Sequence, residues 1–354
     1  MNKPADNPAD DARIARTLTA WFADNARDLP WRTQPRDPYH ALVSEMMLQQ
    51  TQVARVVEKF EPFLARFPTV RSLADAPEDE VLAAWSGLGY YRRARLLHAC
   101  AKAIVQHHDG AVPDKPHALL ALPGIGRYTA GAIASIVFNQ PAPIVDGNVT
   151  RVLLRLHNKP IPQSDKATVD WAWHRADELV HARDDPAAFN EAIMELGATV
   201  CTPKAPRCPD CPIRKHCRAH THGTTESIPL PKPKTRQKHL HCASIAITHR
   251  GRVILTQRPS AGMWASMYQL PTLERDDRQP TPDEITRTLA LPSCEPVGSF
   301  THATTHRIVE FTIYHARKPD RVPQHWIKHP IGSLQTLAIS NAQMKAMRIA
   351  GILE

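Results

Sequence analysis

No stretch of this 354-residue chain comes near the roughly 18 consecutive apolar residues that make a membrane-spanning helix. The opening residues MNKPADNPADDAR are polar and proline-containing, so no signal peptide is expected either; the expected location is the cytoplasm, beside the nucleoid if the source is bacterial. Cysteine is too unevenly placed for a disulfide framework: there are seven, an odd number, and four of them crowd into one short segment. That pattern suggests a reducing compartment and a metal site. Acidic residues are outnumbered, 35 Asp and Glu against 44 Lys and Arg, for a formal charge of +9 and a pI near 9.3. The balance favours a polyanionic partner, although charge alone implies only solubility and non-specific attraction. The length allows two domains with separate cores.

The segment from Leu122 to Leu153, LPGIGRYTAGAIASIVFNQPAPIVDGNVTRVL, organises the rest. It turns sharply at Pro123-Gly124-Ile125-Gly126, where glycine lets backbone N–H groups approach another molecule closely. An Ala- and Ile-rich helix is expected over Thr129 to Phe138, stopped by Asn139 and by Pro141 and Pro143. Asp146 precedes Asn148-Val149-Thr150-Arg151, so it falls at a second helix N-terminus, where free N–H groups favour an ionised carboxylate. Either half alone reads as an ordinary capped helical hairpin. Together, Leu-Pro-Gly-Ile-Gly and the following Thr-Ala resemble the helix-hairpin-helix DNA-binding motif. In that family the turn's N–H groups, here around Gly124 and Gly126, hold a DNA phosphate, and a monovalent cation bridging the turn's carbonyls is an associated feature. Asp146 then stands where the helix-hairpin-helix DNA glycosylases, the endonuclease III superfamily, keep a catalytic aspartate.

Upstream, residues 1–11 are expected to be disordered, and Ile14, Leu18, Trp21 and Phe22 have helical spacing. After Leu29-Pro30-Trp31-Arg32, a long helix is expected from about Tyr39, with Leu42, Met46, Val53, Val56 and Phe60 along one face. Glu45 lies roughly 60° from the centre of that stripe. Its carboxyl is either partly buried, which raises its pKa towards that of a general acid, or at the boundary with its head in water. The block Ser44-Glu45-Met46-Met47-Leu48-Gln49-Gln50-Thr51-Gln52-Val53 closely resembles the adenine DNA glycosylases of the MutY family. Its three glutamines suit base edges better than a core.

Trp85 to Arg95, WSGLGYYRRAR, packs two glycines, two tyrosines and three arginines into eleven residues, offering aromatic planes beside phosphate-binding charge. It resembles the block of the same family in which the first tyrosine, here Tyr90, wedges into the duplex. Helices are expected from about Trp173 to Asp184 and from Ala187 to Val200. The second carries Glu191, which the resemblance places against an extruded purine. Cys201, Cys208, Cys211 and Cys217 follow as Cys-x6-Cys-x2-Cys-x5-Cys, four thiols within 17 residues. Spacing alone leaves tetrahedral zinc and an iron-sulfur cluster both open. The resemblance implies one four-iron four-sulfur cluster, in a loop whose Lys204, Arg207, Arg214, Lys215 and Arg218 present cations to phosphates.

Residues 221–238 are polar, Pro-rich and basic, and read as a linker. Beyond it the pattern changes: strand-like runs at 243–248 and 253–257 flank His249-Arg250-Gly251, with a helix near 283–290 and a strand over 308–314. This α+β unit resembles the Nudix-like C-terminal domain of the MutY family. It lacks the Gly-x5-Glu-x7-Arg-Glu helix that hydrolysis would need, so binding without hydrolysis is expected. Phe300 to Arg307, FTHATTHR, aligns with a family turn written Phe-Ser-His that recognises 8-oxoguanine; here Thr304 replaces the Phe and Thr305 the Ser, and His306 is kept.

The resemblance therefore implies an all-α helix-hairpin-helix glycosylase domain with a cluster loop (12–220), a linker (221–238) and a Nudix-like 8-oxoguanine recognition domain (239–354). It implies a monomeric, monofunctional glycosylase acting on duplex DNA with adenine opposite 8-oxoguanine or guanine. Glu45 is the expected acid and Asp146 the expected carboxylate beside the sugar. Tyr128 and Asn148 are expected to orient Asp146 or the sugar, Arg32 and Glu191 to contact the purine, and Gln50 and Tyr90 to intercalate. The alternative is an endonuclease III-type glycosylase/lyase. That branch carries lysine after Gly-x-Gly-Arg, where this chain has Tyr128.

Overall fold

The computed structural model describes residues 8–182, 185–231, 237–304, 306–319 and 321–353. Contacts divide it into two compact units, Met1–Asp75 with Leu96–Pro233, and Ala76–Arg95 with Lys234–Glu354.

The first unit is helical. Its helices are α1 (Pro8–Asn25), α2 (Pro38–Leu48), α3 (Val53–Arg66) and α4 (Val70–Asp75), then, after α5 (Glu78–Ala84) of the other unit, α6 (Arg92–His107), which begins at the boundary. There follow α7 (Pro116–Leu120), α8 (Arg127–Ala132), a π-helical turn (Ile133–Val137), α9 (Gly147–Leu156), α10 (Lys166–Val180), α11 (Pro186–Thr199) and α12 (Arg218–Thr221). One core unites α1, α9, α10 and α11 through Leu18, Val149, Leu153, Trp173, Phe189 and Leu196. Of the stretch expected to be disordered, residues 1–7 lie outside the described residues, and from Pro8 the chain is already helical. Asp11 holds that first turn down, accepting at 2.7 Å from the buried Arg175 of α10. Helix α10 likewise starts earlier than its pattern suggests, at Lys166.

Two local departures shape the site. The single helix expected from Tyr39 through Phe60 is two, because the buried run of α2 ends where the exposed Gln50 turns left-handed at φ 56°. The glutamines thus sit in a tight connection, Thr51 N–H bonding Leu48 O at 3.1 Å, rather than along a helix. The helix after the glycine turn also widens into π geometry at Ile133–Val137. Buried Asn190 donates to the Ser135 hydroxyl of this turn and to Ala142 O of the chain that follows it, each at 2.9 Å, tying the two together. A Cβ on Gly131 would come 2.3 Å from Pro143 O, so only glycine lets the chain returning towards Asp146 pass this close.

The stretch expected to be a linker is anchored in its first part. Ile228 is buried with Leu154 and Ala219, and Leu230 N–H reaches Ile161 O at 3.2 Å. Residues 232–236 lie outside the described residues.

The second unit has strands β1 (Lys238–Ala246), β2 (Thr248–His249), β3 (Arg252–Gln257), β4 (Tyr268–Gln269), β5 (Thr272–Arg275), β6 (Cys294–Ala303), β7 (Arg307–Ala316) and β8 (Trp326–Pro330), with α13 (Pro282–Leu289) and α14 (Asn341–Ile349). One sheet runs β5-β1-β7-β6, with β1 and β7 parallel; the other runs β2-β3-β4, with β8 also on β3. The β2–β3 hairpin turns at Arg250 and Gly251, both at positive φ, as a two-residue hairpin prefers. Ile285 of α13 packs with Ala243, Ile245 and Leu273, while Ala346 and Met347 of α14 pack with Cys242, Val309 and Phe311, so the larger sheet is covered on both faces. Residues 76–95 group with this unit and not with the chain on either side of them.

Candidate active site

Glu45 lies in the run Leu42 to Met47, buried throughout, and is itself only 8% exposed. Asp37 caps the helix, accepting from Tyr39 and His40 N–H at 2.8 and 2.9 Å, which fixes its phase. Burial, above all, and then the charges of Asp146 and Glu191 raise the Glu45 pKa to about 7, against an opposing hydrogen bond from Tyr128. The Tyr128 phenol, pushed up by burial and by the Glu45 and Asp146 carboxylates, stays a donor. Glu45 Oε2 is buried and has no hydrogen-bond partner among the described residues. One oxygen is thus held and the other is left for a guest.

Asp146 caps α9. Its Oδ1 accepts from Val149 N–H at 2.7 Å and its Oδ2 from Asn148 Nδ2 at 3.2 Å. Burial raises its pKa, while the Val149 and Asn148 N–H groups and the Arg151 charge oppose the shift. Asn148 is fixed in turn by Arg151, which donates to its Oδ1 at 2.9 Å and to Gly197 O and Cys201 O, both at 2.8 Å. A Cβ on Gly197 would stand 2.7 Å from that of Asn148, so α11 approaches the aspartate's helix only through glycine. Glu45, Tyr128, Asp146 and Asn148 are brought together, with Glu191 near enough to act on Glu45.

Glu191 is gripped by Arg32 at 3.1 Å and Arg36 at 2.7 Å, and Glu195 by Arg27 at 2.5 Å and Arg32 at 2.8 Å. Arg27, Arg36, Arg151, Gly197 and Glu195 escaped the sequence reading. Only the four-residue spacing of Glu191 and Glu195 on one helix face hinted at a cluster.

Around this centre, Gly124 has φ 77° and a Cβ there would meet that of Leu96 at 2.7 Å, so it is required by the fold. Gly126, the residue before α8, has open space around it and an ordinary φ of −92°, so nothing inside the protein demands glycine there. Tyr90, in the second unit, is 54% exposed at φ 47°, between Gly89 (φ 70°) and the rest of an arginine-rich turn. Arg93 lies over its ring at 5.6 Å and bonds Leu88 O at 3.1 Å. Left-handed non-glycine residues cost energy and gather where the backbone is held for a purpose. In the hairpin between β6 and β7, Thr304 Oγ1 accepts from Arg307 N–H at 3.0 Å, so the threonine in place of phenylalanine closes the turn. His306 follows, its carbonyl accepting from Lys238 N–H at 3.1 Å; Thr305 lies outside the described residues.

Cys201, Cys208, Cys211 and Cys217 all line one cavity of about 30 Å³, together with Arg155, Arg207 and Arg214. Arg155 of α9 secures this loop, donating to Thr202 O at 2.7 Å, Ile228 O at 2.8 Å and Cys201 Sγ at 3.4 Å. The helix that begins at Asp146 therefore also carries the two arginines that hold the cysteine loop. Among the described residues, no three His, Cys, Asp or Glu side chains converge closely enough to hold a single metal ion.

Residues 43–171 match the family described as HhH-GPD superfamily base excision DNA repair protein, and residues 242–348 match the NUDIX domain. The chain is 35% identical over 316 residues to a rat protein named adenine DNA glycosylase, covering 75% of this chain and 61% of the rat one. Among solved structures, a thermostable thymine-DNA glycosylase superposes with a TM-score of 0.55 at 26% identity, over 61% of this chain and all of that one. The chain thus spans about three fifths of the rat relative's length. A human adenine DNA glycosylase is 31% identical over 401 aligned residues, covering 94% of this chain and 73% of the human protein. Since that match takes in both units and the segments carrying the paired carboxylates and the four cysteines, the chain belongs to the adenine DNA glycosylase family.

Proposed function

We propose that the protein excises adenine mispaired with 8-oxoguanine or guanine in duplex DNA by hydrolysing its N-glycosidic bond. The observation that carries this reading is the buried, protonatable Glu45 with one free oxygen, set beside the capped Asp146. The target adenine must leave the stack, at a cost of roughly a few kcal/mol, which insertion of Gln50 and Tyr90 offsets. Glu45 gives its proton to a ring nitrogen of the base, and the C1′–N9 electrons depart with a neutral adenine. Asp146, ionised, stabilises the cationic sugar until water adds, as paired carboxylates divide the work in glycosidases. Tyr128 and Asn148 hold the two carboxyls in place. The Arg32–Glu191 pair faces the base, and Thr305 with His306 reads the opposite purine.

Position 128 offers a phenol and not an amine, which disfavours the lyase alternative. The test is incubation with duplexes carrying adenine opposite 8-oxoguanine, guanine, cytosine or thymine. Excision is expected opposite the first two, with strand breaks appearing only after alkali. Efficient borohydride trapping of a covalent adduct would establish the lyase reading instead.

The cysteine loop fits a four-iron four-sulfur cluster. Four thiols line one cavity, and Arg155 brings positive charge to Cys201. Such a cluster would hold the loop's shape and so place its Lys and Arg side chains against DNA phosphates. Purified protein is expected to be brown and to contain iron; a colourless, fully active protein with one zinc would overturn this assignment.

A further inference from the structure

The exposed Tyr90 belongs, by its contacts, to the second unit, and the neighbouring Tyr91 is one residue that ties it there. Its ring is buried, 6% exposed, and its hydroxyl donates to Ile339 O at 3.2 Å. The same oxygen receives hydrogen bonds from the Ser86 side chain and the Gly87 N–H, so one atom ties the start of the turn before Tyr90 to residue 339. That anchor is firm. Tyr268 N–H bonds Ala338 O at 2.8 Å, and Ile339 bridges to β4. Two residues into α14, Gln343 accepts from Leu270 N–H at 3.2 Å and donates to Ser244 Oγ of β1 at 3.3 Å. β1 lies against β7, which begins at Arg307, the residue after His306. Helix α5 adds to the attachment, packing on residues 331–336, with Asp79 acting electrostatically on the Tyr268 phenol.

We propose that Tyr91 is a positioning residue through which the Nudix-like unit holds the Tyr90 wedge for insertion into duplex DNA, so that the unit reading the opposite base also presents the element that opens the pair. The proposal rests on the functional reading above, in which Tyr90 enters the duplex. A Tyr90 turn fastened at one phenol oxygen loses its preferred pose when that oxygen is removed, while the glycosidic chemistry of unit 1 is untouched. Opening a stacked pair then suffers, and excision of an adenine already unstacked does not.

The test is a double-mutant cycle in the full chain, with Tyr91→Phe, Tyr90→Ala and the pair. Single-turnover excision is measured for adenine paired with guanine and for adenine opposite an abasic site, and 2-aminopurine beside the target reports unstacking. Tyr91→Phe is expected to slow excision of the paired adenine about three- to tenfold, the range one hydrogen bond supports, and to weaken the unstacking signal equally. Excision opposite the abasic site should change less than about twofold, and the pair should be no slower than Tyr90→Ala alone. Equal slowing on both substrates would mark a general structural role, and additive effects in the pair would show that Tyr91 does not act through Tyr90; either overturns the proposal. A wild-type protein inactive on every duplex, or a Tyr90→Ala variant as fast as wild type, would instead bring down the reading beneath it and the proposal with it.

Discussion

Glu45→Gln is expected to lower excision by roughly 10²–10⁴-fold, the usual contribution of a positioned general acid, while duplex binding stays within about tenfold. Glutamine keeps the size and polarity of the side chain and removes the transferable proton. Substantial excision by this variant would sink the assignment of Glu45 as the acid. The wild-type rate should also fall as pH rises through about 7, where the Glu45 proton is lost. Stability should follow the same window. The carboxyl pKa is about 7 in the folded protein against 4.5 for the free group, so below about pH 4.5 both states are protonated and burial of Glu45 carries no ionisation penalty. As pH rises towards 7 the unfolded chain ionises first and stability is lost, by about 3 kcal/mol at the plateau. Glu45→Gln should therefore unfold at higher denaturant than wild type at pH 8, with the gain fading towards pH 4.5. An increment independent of pH would show that the carboxyl is not held neutral by burial.

Asp146→Asn should lower excision by roughly 10²–10³-fold, the usual result of removing one group that stabilises developing charge. The loss is not expected to come through unfolding, because asparagine caps helices as well as aspartate and its oxygen can still accept from Val149 N–H. A second consequence separates charge from shape. The Asp146 carboxylate is one of the groups that raise the Glu45 pKa, so in Asp146→Asn the alkaline limb of the residual rate should move to lower pH. A limb that stays in place while the rate collapses would mean that Asp146 and Glu45 do not share one site.

Much of this site was legible in the residues because its signals are local. Helical phase put Glu45 near the buried stripe, the Gly-x-Gly turn announced itself by conformational freedom, and Asp146 stood where a helix cap belongs. The four-cysteine spacing is likewise short enough to bring the thiols around one cavity. The left-handed pose of Gln50 was not legible, since glutamine carries no mark of positive φ and the apolar stripe resumes in phase beyond it.

By itself the sequence determined a helical half with a glycine turn and a thiol loop, followed by an α+β half. Those properties follow from residue type and spacing, which act over one or two turns of chain, whereas the DNA-facing role and the pairing of Glu45 with Asp146 came with the family resemblance. Tertiary structure alone decided that Arg36 meets Glu191 across 155 positions and Arg27 meets Glu195 across 168, and that Gly197 admits Asn148. It also decided that Arg151 and Arg155 join the Asp146 helix to the cysteine loop, and that residues 76–95 belong with the second unit, to which the buried Tyr91 phenol and helix α5 tie them. Such contacts leave no period in the chain, because each is made by the way helices and sheets pack and not by the segment that carries it.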